Sequence, residues 1–103
     1  MNRVERHREI CEQLNKIYET KNHDYGNSFG ETYKKLGIIS AITRISDKYN
    51  RICSLATKSA KERQVKDESI RDTLLDMANY CMMTVIEMDN EKEEETTESV
   101  SDV

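Results

Sequence analysis

The chain has 103 residues, no proline and three glycines, with 35% charged and 36% apolar residues. Such a composition excludes a sheet-rich fold, which needs turn residues this chain lacks, and leaves one small domain with a modest core. The formal charge of −4 is uneven: from Asp89 onward there are seven acids and one lysine, while the preceding residues carry fifteen bases and thirteen acids. A near-neutral body argues against duplex nucleic acid as a partner, because duplex binding wants a strongly basic face.

In chain order, the first predicted helix runs from about Asn2 to Lys21, with Ile10, Cys11, Leu14, Ile17 and Tyr18 three or four apart on one face. The stretch KNHDYGNSFGETYKK, Lys21 to Lys35, then interrupts the helical pattern with two of the three glycines and three of the aromatics. Gly26 suits a helix end. Ser28 stands three before Glu31, a capping-box spacing that starts a short helical turn broken near Gly37.

The second long helix is expected over about Ile38 to Lys58, where Ile38, Ile42, Ile45, Tyr49, Ile52 and Ala56 make an unbroken apolar seam. Residues Lys58 to Lys66 are charged and poorly periodic, and read as a linker. A third long helix starts near Asp67, a good N-cap, and ends at about Asn90, with a matching seam of Ile70, Leu74, Met77, Cys81, Thr84 and Met88. The expectation is an all-α bundle of three long helices plus a short helical turn, occupying residues 1–90, with an acidic disordered tail over 91–103.

Cys11, Cys53 and Cys81 are odd in number, far apart and set among apolar residues. They read as free buried thiols in a reducing, cytoplasmic setting. The longest nearly apolar run, CMMTVIEM, is too short to span a bilayer, so no membrane partner is expected. The second half of the third long helix is apolar nearly all round, continuing the Asp72, Asp76, Asn79 stripe through Met83 and Ile86. In so short a chain its expected cover is a second copy, making a homo-oligomer.

Two polar stripes and the loop carry the candidate chemistry. Arg44, Asp47, Lys48 and Arg51 share one side of the second long helix, about 120° from its apolar seam. They are either the mouth of a cleft or an ordinary solvated face with pairs such as Asp47–Arg51. Glu68 and Asp72 suit the helix dipole, but Asp76 lies too deep in the helix for that explanation. Asp47, Glu68, Asp72 and Asp76 are the candidate Mg²⁺ ligands, since magnesium takes oxygen donors. In the loop, Lys21 offers charge, Asn22 and Asp24 offer hydrogen bonds, and Tyr25 or Phe29 a stacking surface. Ser28 opens a helix N-terminus, which favours anions. The same residues also read as a plain helix corner plugged by two rings.

The blocks KNHDYGNSF, GIISAITRISDKYNRICSL and VKDESIRDTLLDMANYCMMTVIE, taken in order, resemble the family called nucleotide modification associated domain 1. The resemblance covers roughly Lys21 to Glu87. It implies a bacteriophage or bacterial host setting and a link to nucleotide or base modification, and its blocks fall on Lys21, Asp24, Tyr25, Gly26, Ser28, Phe29, Arg44, Asp47, Lys48, Arg51, Glu68, Asp72, Asp76 and Tyr80. The layout is also loosely similar to the all-α MazG-like nucleoside triphosphate pyrophosphohydrolases, with DTLLDMANY placing Asp76 at their metal-binding aspartate. There this chain departs: Thr73 stands where the partner acid belongs, and the second long helix has no pair of acids three apart.

Three functions stay open on these residues. In the first, the protein captures a nucleotide, a cyclic nucleotide or a nucleotide-derived signal, as a sponge against host immune signalling or in handling modified nucleotides. Its site would be Lys21, Asn22, Asp24, Tyr25, Ser28, Phe29, Arg44, Lys48, Arg51 and Asp76. The second is Mg²⁺-dependent hydrolysis of a nucleoside phosphate. The third is a non-catalytic adaptor that binds another protein through its Met-rich face.

Overall fold

The computed structural model describes residues 2–57 and 63–101, with side chains except those of Tyr25 and of residues 63–68 and 97–101. Among the described residues there are four helices and no strand: α1 (Arg3–Tyr25), α2 (Ser28–Leu36), α3 (Ile38–Ala56) and α4 (Arg63–Ser101). The all-α bundle of three long helices and a short fourth is therefore the fold.

Side-chain caps and two glycines set the boundaries. Asn2 caps α1, its Oδ1 accepting from Glu5 N–H at 2.8 Å. α1 continues four residues past the expected end and stops at Gly26, whose φ of +70° favours glycine. Gly26 N–H then donates to the Asn22 carbonyl at 2.9 Å. The cap of α2 is Asn27, not Ser28: Asn27 Oδ1 accepts from Gly30 N–H at 3.2 Å, and Ser28 is the first helical residue. The Ser28–Glu31 capping box is thus corrected by one residue, because asparagine one place earlier competes for the same first-turn donors. Gly37, with φ of +74°, both closes α2 and opens α3, so the two helices meet at a single-residue corner.

α3 and α4 form an antiparallel hairpin. Arg51 Nε donates to Thr73 Oγ1 at 3.3 Å, and one turn along, Lys48 Nζ lies 3.6 Å from Asp76 Oδ2. α1 packs on α4 through Asn79, whose Nδ2 donates to the Leu14 carbonyl at 3.2 Å, and through Arg71 and Gln13 at 3.1 Å. α2 lies over the hairpin, with Phe29 against Tyr80 and the Tyr33 hydroxyl donating to Glu91 at 3.4 Å.

α4 begins before Asp67 and continues to Ser101, so the helix takes in the acidic residues from Glu91 onward. Glutamate and lysine are good helix formers, and the Tyr33–Glu91 bond ties this segment to α2. The cysteines are free but exposed, not buried. The two apolar seams are only partly covered in the single chain: Thr84 is buried and Ile45, Ile52, Ile70 and Met77 are half-buried. Ile38, Ile42, Tyr49, Leu74 and Met88 are 43–57% exposed, and the buried apolar residues are Leu14, Tyr33 and Ala41. The radius of gyration, 17.3 Å, exceeds the roughly 13 Å typical of a compact chain of this length. Among the described residues no helix is long and apolar enough to cross a membrane.

Candidate functional site

One cleft, with a volume of about 190 Å³, opens where all four helices converge. The last turns of α1 supply Tyr18, Lys21 and Asn22, which share a face because they lie three and four apart. The Gly26 turn brings Asn27 and the first turn of α2, Ser28 and Phe29, to the rim. α3 contributes Arg44, and α4 contributes Asp76, Asn79, Tyr80 and Met83 by the same helical spacing. The volume falls below the roughly 300 Å³ of the smaller drug-sized pockets, so one ring or one phosphate group fits inside while a larger ligand extends out of the mouth.

The electrostatics centre on Asp76. Its Oδ1 lies 3.4 Å from Lys21 Nζ and its Oδ2 3.6 Å from Lys48 Nζ, so one carboxylate from α4 holds ammonium groups from α1 and α3. Arg44 joins Lys21 on the cleft wall and makes no ion pair among the described residues. With Lys48 behind Asp76, three cations against one carboxylate leave the site positive. The N-terminus of α2 adds partial positive charge at the rim. In the same cleft, Phe29 and Tyr80 pack with ring centroids 5.9 Å apart and planes tilted by 32°. With Met83 they make an apolar wall.

The structure brings together six of the residues expected to bind a nucleotide: Lys21, Asn22, Ser28, Phe29, Arg44 and Asp76. Lys48 reaches the group from behind, through Asp76. Arg51 points one turn away to Thr73, and Asp24 is exposed beside His23, its carboxylate 3.3 Å from Nδ1. The side chains of Tyr25 and Glu68 lie outside the described residues.

Tyr18, Asn27, Asn79, Tyr80 and Met83 line the cleft without having been singled out for binding. Three of them were legible in part: Asn79, Tyr80 and Met83 fall three, four and seven after Asp76, on its own face. On that face of α4, α1 of the same chain covers Asn79 through its bond to the Leu14 carbonyl, while Ile86 stays 44% exposed.

Among the described residues no three His, Cys, Asp or Glu side chains gather closely enough to hold a metal ion. Asp47 and Asp72 are exposed, and both oxygens of Asp76 face ammonium groups. So paired, Asp76 offers a divalent cation no unneutralised oxygen.

The family described as nucleotide modification associated domain 1 matches residues 21–88, a span that holds every cleft residue except Tyr18. No curated protein and no solved structure matches the chain.

Proposed function

The chain belongs to the nucleotide modification associated domain 1 family, and on that premise we propose that its cleft captures a nucleotide or nucleotide-derived signal without cleaving it. The observation that carries this reading is the meeting of an aromatic wall, Phe29 and Tyr80, with two cations, Lys21 and Arg44, in one small cleft, with Lys48 behind them on Asp76. A nucleotide needs that combination: an apolar ring face for the base and cationic donors for the phosphates. Arg44 presents a planar fork suited to phosphate oxygens. Asn22 and Ser28 supply hydrogen bonds at the rim, and Asp76 holds Lys21 and Lys48 beside the phosphate. In a phage-infected bacterial cell, such a protein would sequester a signalling nucleotide from its receptor. Hydrolysis is the weaker reading, because phosphate cleavage relies on metals to neutralise charge and activate water.

The test is direct. The protein is incubated with nucleoside triphosphates, cyclic dinucleotides and cyclic ADP-ribose isomers, with and without Mg²⁺, then desalted and denatured, and the released material is analysed. Intact ligand recovered in either condition supports capture. Products that appear only with Mg²⁺ would replace capture with hydrolysis, and retention of nothing would favour an adaptor.

A further inference from the structure

The residues of the α3 and α4 seams that stay exposed form a single face. At about 100° per residue, Ile38, Ile42 and Tyr49 share one side of α3, and Leu74, Val85 and Met88 share one side of α4. The Lys48–Asp76 and Arg51–Thr73 contacts set how the two helices face each other. In an antiparallel pair so oriented, the two apolar sides lie on the same surface of the hairpin. The cleft and its cations lie on the opposite surface, with α2 above them. We infer that this apolar face is the docking surface for a second copy of the chain, giving a back-to-back dimer whose centre is a four-helix bundle of two α3–α4 hairpins.

Three observations select a second copy as the occupant. Every seam position from Ile38 to Ala56 and from Leu74 to Met88 is uncharged, so the face has nothing with which to recognise an acidic or basic partner. Both helices of the hairpin carry apolar residues alternately four and three apart, the spacing by which helices interlock, so the face is complementary to itself under a two-fold rotation. The face is also extensive. Fifteen residues of α4, Leu74 to Met88, and two helices side by side outline roughly 20 Å by 20 Å, about 400 Å² in plan. Docking would bury side chains that the single chain leaves 43–57% exposed, including Ile38, Ile42, Tyr49, Leu74 and Val85. A patch of this size on a monomer marks an interaction site. The inference does not depend on what the cleft binds.

The experiment is sedimentation equilibrium on the full chain, comparing wild type with Ile42→Glu and Val85→Glu, with far-ultraviolet circular dichroism as a check of helicity. The expected result is a wild-type mass twice the chain's 12.0 kDa at micromolar concentration, and at least tenfold weaker dimerisation in each variant. A monomeric wild type at 100 µM, a larger assembly, or variants that stay dimeric would overturn the proposal. If the charged variants lose helicity, thiol cross-linking decides. With Cys81 as the sole thiol (Cys11→Ser, Cys53→Ser), a short bismaleimide should link two chains efficiently, because Cys81 lies mid-seam; with Cys11 alone it should not. Absence of the Cys81 link, or equal linking through Cys11, would also overturn it.

Discussion

Asn79 Nδ2 donates to the main-chain carbonyl of Leu14 at 3.2 Å, a hydrogen bond spanning 65 residues of sequence between two residues that are 8% and 7% exposed. It joins α4 to α1 beside the cleft, so the distance between Lys21 and Asp76 depends on it. Replacing Asn79 with Ala should cost about 1–2 kcal/mol, combining a lost net hydrogen bond with lost packing. A lowered urea midpoint with unchanged slope would bear this out. The Leu14 carbonyl keeps a helical acceptor role in α1, so complete unfolding of Asn79→Ala would show that the bond supports more than this one contact.

The cations of the cleft should matter to ligand and little to the fold. Arg44→Ala should weaken nucleotide retention roughly 10- to 100-fold, the loss expected for a hydrogen bond to a charged phosphate. Asp76→Asn should change the stability of the free protein by no more than about 1 kcal/mol, because Lys21 is largely exposed, Lys48 and Asp76 are about a third exposed, and solvent screens both pairs. Isothermal titration with the recovered nucleotide, paired with thermal melts, separates the two effects.

Gly30 is a close-approach position. A Cβ there would stand 2.5 Å from Asn27 Nδ2, 2.7 Å from Asn27 Oδ1 and 2.7 Å from Glu87 Oε1. Neither neighbour is free to yield, since Asn27 is the cap of α2 and Glu87 is buried at 7%. Gly30→Ala should therefore destabilise the protein by about 1 kcal/mol, the scale of a lost N-cap, despite alanine's better helix propensity. A variant more stable than wild type in chemical denaturation would contradict this.

Tyr33 links stability to alkaline pH. Burial first, and then the negative charge of and hydrogen bond to Glu91, with Glu87 adding to them, raise its phenol above the ordinary value of 10.0. The folded state thus holds this proton more tightly than the unfolded chain does. The contribution is fully present below about pH 10, and stability falls as pH rises from there through the folded-state value. Tyr33→Phe should remove that part of the alkaline slope. The absorbance of phenolate at 295 nm should lose one late-titrating tyrosine in the variant, while Tyr49, whose phenol is raised by its hydrogen bond with Cys53, still titrates late.

How much was legible in advance differs by element. Helix content, the Gly26 and Gly37 breaks and the apolar seams follow from local propensity and spacing, which act within a few residues. So does the placement of Arg44 with Lys48, and of Asp76 with Tyr80, since each pair shares one helix. The Asn27 cap escaped because Ser28 beside it satisfies the same local rule. The exposure of Cys81 and Leu74 escaped because periodicity marks an apolar side without saying whether anything covers it.

The sequence by itself determined the class of fold, the four helical segments and the residue types available to a phosphate-bearing ligand. Tertiary structure alone decided that Asp76 faces Lys21 and Lys48, that Phe29 meets Tyr80, and that Arg51 turns instead to Thr73. The physical reason is rotation: each helix can turn about its axis and slide along its neighbour while keeping every local preference satisfied. Only packing between helices, through contacts such as Asn79 with Leu14, selects which stripes face one another.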